Sequence, residues 1–390
     1  MYVNKRHHHI DTRRISSIFQ LFLSKMKNQI ILEGINSLDQ ILAGSTKVFL
    51  LCDASFPFLS IKEKIENMGT PHVVFDKFTS NPLYEDVCKG VDLFQITKCD
   101  TILAVGGGSS IDVAKCIKLY CNMSKDDIYL NQEYKDTGIK LIAIPTTAGT
   151  GSESTRYAVI YYDGKKQSVT HDSIIPDVAI LDSSVLKSLP LYQKKCTMLD
   201  ALCQGIESWW SVNSTEESKI LSRKAVEIIM QWWHEYIFDN TDKSANAIMK
   251  AANLAGQAIC ITQTTAPHAF SYKITSLYKL PHGHAVAICL PEIWTFMIDN
   301  MNFCIDKRGA NYLNNVFNDI ATAMGCSNTE QAILKFRQIM AEMEINSPIS
   351  VNRINVIKVL SLSVNPIRLK NNPIELDNNS IELIYNKIIK

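Results

Sequence analysis

Four side chains in the middle of the chain are of types that could share a divalent metal ion. Asp200 and Gln204 lie in the segment DALCQ, at positions i and i+4. On a helix that spacing stacks two side chains on one face. His268, in PHAF, and His282, in PHGHA, follow on either side of the loop Tyr278-Lys279-Leu280-Pro281. One carboxylate oxygen and two imidazoles are good donors for divalent iron or zinc. The same residues also suit helix caps, surface positions or packing histidines, and spacing alone does not choose.

Two loops have the composition to bind an anion. Val105-Gly106-Gly107-Gly108-Ser109-Ser110-Ile111-Asp112 reads as a strand, a glycine turn and a helix start. The glycines let the backbone approach a phosphate. The free N–H groups of the helix start, with its dipole, favour negative charge. The motif is not GxGxxG, and any tight strand-to-helix turn could use it. Its place after a parallel strand favours a dinucleotide pyrophosphate. A second loop, PTTAGTGSE over residues 145–153, offers hydroxyls and glycines after the next strand. It suits a ribose, an amide or a phosphate, or it is an ordinary Thr/Gly loop.

These groups need elements to hold them. Between residue 47 and about 182, short apolar runs alternate with helical stretches. Runs 48–52, 73–75, 101–105 and 141–144 read as buried strands, and stretches around 61–68, 87–93 and 110–120 as helices. That alternation predicts a parallel sheet covered on both faces, with right-handed crossovers. Beyond Asp182, helical periodicity takes over at 218–235, 245–260, 311–324, 330–343 and 354–362. The expected fold class is α/β: a Rossmann-like parallel-sheet domain followed by an all-α domain, with a boundary near residue 185.

Composition sets the outer limits. A chain of 390 residues has room for two ordinary domains. Hydrophobic residues at 46% and charged residues at 20% match a globular protein and exclude a disordered or fibrous one. Forty basic residues against 39 acidic ones leave +1, so global charge says nothing for or against a nucleic-acid or membrane partner, and neither is expected. No run approaches the ~20 apolar residues of a spanning helix. Eleven cysteines, without a CxxC pair or a secretory cleavage signal ahead of them, read as reduced thiols of a cytoplasmic protein. The first 25 residues differ in character from the rest. They read as an arm, or as sequence upstream of a true start at Met26, and the His7-His8-His9 run within them as incidental.

Taken in order, GGGSSIDVAK, PTTAGTGSE, DALCQGIE and PHGHAVAICLP resemble the iron-containing (group III) alcohol dehydrogenase family over about residues 28–390. Asn81-Pro82, Pro176-Asp177 with Leu181-Asp182, and the late NPIRLKNNP agree with it. The resemblance implies a dehydroquinate synthase-like architecture. Residues 26–185 would form the dinucleotide-binding domain and 186–390 the metal-binding domain. It implies NAD(H) or NADP(H) and a divalent metal, Fe2+ ahead of Zn2+, in a homodimer or higher homo-oligomer acting on a small aldehyde or alcohol. Carried over by motif, Asp53 lies near the adenosine ribose, where an acid favours NAD, and Asn81 lies near the cofactor. Gly107, Gly108 and Ser109 contact the pyrophosphate, with Asp112 beside them. Thr146, Thr147 and Thr150 line the nicotinamide side, and Lys166 matches a cofactor-contacting lysine. Asp200, position 204, His268 and His282 are the metal ligands.

Two positions depart from the family. It usually has histidine where this chain has Gln204. Gln204 would offer an amide oxygen, or the site would work with three protein ligands. Tyr272 stands where many relatives have a histidine that relays a proton; its hydroxyl could take that role or merely line the pocket. DALCQGIESWWSVNSTEES and TAPHAFSYKITSLYKLPHGHAVA are closer still to the branch that reduces phosphonoacetaldehyde to 2-hydroxyethylphosphonate in phosphonate biosynthesis. A phosphonate needs cations. By motif position Arg156, Lys273 and His284 are the candidates, each of which could instead be a solvated charge or a helix-end residue. The competing readings are a general alcohol, lactaldehyde or polyol dehydrogenase, a lyase or cyclase like dehydroquinate synthase, and a metal-poor binding or scaffold protein suggested by Gln204 alone.

Overall fold

The computed structural model describes residues 29–390; the expected arm over residues 1–25, with His7, His8 and His9, lies outside the described residues. The segments VFLLC, TILAVG and KLIAIP carry apolar side chains on both faces of the pleat, so each needs a covering layer on both sides. In chain order the strands are β1 (Ile30–Glu33), β2 (Val48–Cys52), β3 (His72–Phe75), β4 (Thr101–Gly106), β5 (Lys140–Pro145), β6 (Tyr157–Tyr162), β7 (Lys165–Thr170) and β8 (Val178–Leu181). Six of them form one parallel sheet in the order β1-β8-β5-β4-β2-β3. The register pairs Val48 with Thr101 and Thr101 with Lys140, so the ends of β4 and β5 that carry the two loops lie side by side.

The sheet half also holds helices α1 (Leu38–Leu42), α2 (Lys62–Glu66), α3 (Tyr84–Thr97) and α4 (Gly108–Tyr120). The two-residue period of β2 divides the packing. Phe49 and Leu51 join Val87, Val91 and Phe94 of α3 and Ile111 of α4 in one core. Val48, Leu50 and Cys52 point the other way, into a core that runs on into the helical half. That half comprises α5 (Leu191–Trp210), α6 (Glu216–His234), α7 (Asp242–Thr262), α8 (Ala266–Tyr278), α9 (His282–Asp299), α10 (Ala310–Ala323), α11 (Thr329–Glu342), α12 (Arg353–Ser363), α13 (Pro366–Leu369) and α14 (Asn378–Ile388). Among the described residues, no helix is long and apolar enough to cross a membrane.

The sequence reading lacked β1, β8 and the β6–β7 hairpin. β1 and β8 have only four residues each, and β1 is a half-exposed edge strand, so neither shows a clear period. The hairpin left a better signal. Its turn is Asp163-Gly164, both at positive φ, which is the Asn/Asp-Gly chemistry of a tight hairpin.

The two halves meet where backbone touches backbone. Gly151, at φ +62, lies against Gly256 of α7, and a Cβ on Gly151 would fall 2.4 Å from the Gly256 Cα. Asn253, one turn earlier on α7, donates to Glu153 Oε1 at 3.0 Å and to Ser154 Oγ at 2.7 Å. The PTTAGTGSE loop is thereby fixed to the helical half as well as to the sheet.

Candidate active site

The carboxyl ends of the parallel strands face α5, α8 and α9 across a cleft of about 1070 Å³. A crevice outside the strand ends is where open α/β sheets bind ligands. Asp53, Asn81, Gly107, Gly108, Ser109, Asp112, Thr146, Thr147, Thr150 and Lys166, the ten expected cofactor positions, all line it.

At the sheet end, α4 begins directly after the glycine turn. Its N-cap, Gly107, makes no side-chain capping bond, so the first-turn N–H groups have no side-chain cap to satisfy them. The turn is closely packed: a Cβ on Gly108 would lie 2.9 Å from Thr150 Oγ1, so the two loops touch. Asp53, just past β2, accepts from Ser110 Oγ at 2.8 Å and from the Ser55 N–H at 2.8 Å, which fixes its carboxylate at the cleft wall. Asp112 accepts from Ser152 Oγ at 2.6 Å and from the Val159 N–H at 2.9 Å. Burial raises its pKa, against the pull of nearby Lys115. Lys115 is itself fully buried and donates to Ser152 Oγ, Thr155 Oγ1 and the Tyr157 carbonyl at 2.7–3.1 Å. Asp112 and Lys115 thus tie α4 to the second loop, a bracing role that composition did not reveal.

At the helical end, Asp200 of α5, His268 of α8 and His282 of α9 place one ligand atom each within 4.8 Å of one another. Their orientation has a visible cause. Glu207, fully buried on α5, accepts from His268 Nδ1 at 2.5 Å, and its other oxygen accepts from the Thr265 N–H and Oγ1 at 2.8 and 2.9 Å. The His268 ring is thereby turned so that Nε2 lies 3.3 Å from Asp200 Oδ1, near enough for charge attraction but not aligned as a hydrogen bond. A carboxylate behind a ligating histidine fixes both its tautomer and its direction. Glu207 is not among the site residues expected from the sequence, although its spacing, two helical turns after Asp200 in DALCQGIE, is a signal of it.

The charges fit a cation between these groups. Burial disfavours a charged His268, but Glu207 and Asp200 outweigh it and push its pKa up to about 10. His282 is pushed down to about 3, chiefly by burial, and is a neutral imidazole. Burial works against an ionised Asp200, but the two histidines hold its carboxyl below the usual value. Asp200 Oδ1 and Gln204 Oε1 are buried with no hydrogen-bond partner among the described residues. An orphaned buried polar atom costs about 1–3 kcal/mol. Two orphaned oxygens beside two imidazoles are the donor set of a site completed by a divalent metal. Gln204 donates weakly at 3.3 Å to Asp200 Oδ2 and to the Thr150 carbonyl, and its oxygen is left free.

Tyr272, one turn after His268 on α8, stacks on His282 with ring centroids 6.0 Å apart and planes 14° apart. The Lys166 ammonium lies 3.6 Å from the centre of the Tyr272 ring. Burial opposes ionisation of this phenol, but Lys166, with His268 and Arg368, brings its pKa below the usual value. The three residues expected to hold a phosphonate are elsewhere. Arg156, Lys273 and His284 do not line the cleft. Arg156 pairs with Asp172 at 2.7 Å. His284 uses both ring nitrogens, with the Tyr192 hydroxyl and the Asn346 carbonyl, each at 2.8 Å. Among the described residues, the lysines and arginines that line the cleft are Lys166, Lys279 and Arg368.

Comparison with known families agrees with this geometry. The family described as iron-containing alcohol dehydrogenase matches residues 29–183, and its C-terminal counterpart matches residues 195–389. The chain belongs to the iron-containing alcohol dehydrogenase family. Within the family it is 30% identical over 257 residues to phosphonoacetaldehyde reductase of Streptomyces viridochromogenes, an alignment covering 63% of this chain and 65% of that protein. It is 32% identical over 274 residues to the probable alcohol dehydrogenase EutG of Escherichia coli, covering 68% and 66%. The chain thus aligns with about two thirds of the length of these curated relatives. Sulfoacetaldehyde reductase of Bifidobacterium kashiwanohense, solved in complex with NAD+, shares the fold with a TM-score of 0.81 at 22% identity, over 93% of this chain and 97% of that one. The parallel sheet followed by a helical domain is the architecture of this family.

Proposed function

We propose that the protein reduces a small aldehyde to an alcohol with NAD(P)H, at a divalent metal, iron in preference to zinc, held by Asp200, His268 and His282 with the Gln204 amide oxygen beside them. The observation that carries this reading is the carboxylate-and-two-imidazole cluster with two orphaned oxygens, facing the glycine turn across one cleft. When bound, the metal supplies Lewis acidity to the carbonyl oxygen and the nicotinamide supplies the hydride.

The chain's own residues do the rest. The turn at Gly107 and Gly108 and the start of α4 bind the pyrophosphate. Asp53 accepts from the ribose hydroxyls and, being anionic, repels a 2′-phosphate, which favours NADH. Thr146, Thr147 and Thr150 line the nicotinamide side. Glu207 holds His268 in its ligating tautomer. Tyr272, with its pKa held below the usual value beside Lys166, donates the proton that completes the alcohol at the former carbonyl oxygen.

Phosphonoacetaldehyde is the proposed substrate. The support is the likeness to a phosphonoacetaldehyde reductase and the presence of cations at the cleft wall. The test is NADH and NADPH oxidation by protein purified without oxygen and loaded with Fe2+, using phosphonoacetaldehyde, lactaldehyde and butyraldehyde. A clear preference for the first supports the specific reading. Equal rates on all three remove the phosphonate and leave the reductase. Loss of NAD(P)H with none of the three removes both.

A further inference from the structure

One corner of the cleft carries a guanidinium, that of Arg368, to which the proposed hydride transfer gives no role. Arg368 projects from the single-turn α13 and donates to Ser168 Oγ of β7 at 3.2 Å. Ser168 and Lys166 are two residues apart on β7, so they share a face of the hairpin. Lys166 in turn covers Tyr272, which stacks on His282. From the metal cluster outward there is therefore an imidazole, a phenol, an ammonium and a guanidinium along one wall.

Arg156, Arg308 and Arg337 each pair with a carboxylate at 2.7–3.0 Å. Among the described residues, Arg368 and Lys166 form no ion pair within such distances, and both line the cleft. Arg368 is also held in position. Three residues on, the Asn371 side chain donates to Gln263 Oε1 at 3.0 Å and to the Thr264 carbonyl at 3.2 Å, and the Asn371 carbonyl accepts from the Val212 N–H at 3.1 Å. Gln263 itself closes α7 at φ +61, a conformation that side-chain-bearing residues adopt at a cost and that a fixed local structure must maintain. With the neighbouring backbone fixed this way and the guanidinium held at Ser168, the side chain has less freedom to lose on gripping a ligand. Its planar fork matches two oxygens of a tetrahedral oxyanion, and unpaired cations on a low-dielectric wall attract such a group.

We propose that Arg368, supported by Lys166 and Ser168, is the specificity-determining anchor for a tetrahedral oxyanion, phosphonate or sulfonate, at the far end of a short aldehyde whose carbonyl lies at the Asp200–His268–His282 cluster. This rests on the aldehyde-reductase reading of the same cleft. It replaces Arg156, Lys273 and His284, which do not line the cleft, with a residue from the C-terminal NPIRLKNNP segment.

The test compares wild type, Arg368→Met and Arg368→Lys as iron-loaded enzymes, with NADH and phosphonoacetaldehyde, sulfoacetaldehyde or propionaldehyde. Arg368→Met is expected to lower the preference for either charged aldehyde over propionaldehyde, in kcat/KM, by roughly 30-fold or more, mainly through KM. Arg368→Lys should recover part of that preference, and the KM for NADH should not move. A preference for phosphonate over sulfonate identifies which oxyanion the anchor favours, and either supports it. An unchanged charged-over-uncharged preference in a folded Arg368→Met enzyme overturns the anchor, as does a parallel rise in the KM for NADH, which would put Arg368 on the cofactor. Absence of NADH oxidation by wild type with every aldehyde overturns the underlying reductase reading instead.

Discussion

Replacing Gly283 by alanine tests whether the close contact of α5 and α9 sets the metal site. A Cβ at Gly283 would lie 1.9 Å from the Cys196 carbonyl oxygen and 2.9 Å from Asp200 Cβ, where 3.0 Å is a practical lower limit. The contact is with backbone, so no side-chain rotation relieves it. The helices must separate by about 1 Å or more, and carbon–oxygen contacts normally settle nearer 3.3 Å. His282 precedes Gly283 and travels with α9, whereas Asp200 travels with α5. Ligand distances in a working metal site hold to about ±0.2 Å, so this displacement exceeds the tolerance several-fold. Overpacking of this kind costs about 1–3 kcal/mol, which leaves a folded protein. Metal affinity should fall at least ~100-fold, more than the 10–100-fold typical of losing one supporting hydrogen bond. The assay is metal content after dialysis against a weak chelator, with turnover and far-UV circular dichroism on the same sample. Gly69→Ala is the control, since a Cβ there meets nothing within 4 Å. A Gly283→Ala protein that keeps one metal per chain and wild-type turnover would refute the reasoning.

Other expectations follow from the same cluster. His268→Ala and His282→Ala should each abolish turnover and stoichiometric metal while the fold persists; near-normal turnover in both removes the metal assignment. Glu207→Gln leaves His268 without its charged partner and should weaken metal binding roughly 10–100-fold, read by competition with a chelator; unchanged affinity would show that Glu207 serves packing alone. Metal binding should release one proton near neutral pH. His268 carries that proton in the metal-free protein up to about pH 10, whereas His282, at about 3, is already neutral. Affinity therefore rises about tenfold per pH unit between roughly pH 5 and 9, seen by titration calorimetry in buffers of different ionisation enthalpy; a flat profile contradicts the assigned states. Gly151→Ala should destabilise the protein, seen as a lower Tm, because the added methyl meets the Gly256 backbone at 2.4 Å and the residue's φ is positive.

Much of this was legible in the sequence because it depends on local pattern. Apolar runs too continuous to face water had to become the central strands of a parallel sheet, and the loss of such runs after Asp182 had to mean helices. The glycine turn and the Asp200, His268 and His282 trio could be named because their residue types have few other uses in combination. Glu207, two helical turns after Asp200, and the Asp163-Gly164 pair of the hairpin turn also carry local signals of their roles. The partners of Arg156, Arg368 and His284 left none. All three are cationic or can become so, and position in the sequence does not tell which of them holds an anion. Only the folded chain shows that Asp172 neutralises the first, that Tyr192 and Asn346 occupy both nitrogens of the third, and that Arg368 crosses from the C-terminal segment to Ser168, 200 residues away, and lines the cleft with no carboxylate partner among the described residues. Secondary structure follows from periodicity over a few neighbouring residues, whereas the neutralisation of a charge depends on which distant groups packing brings within reach.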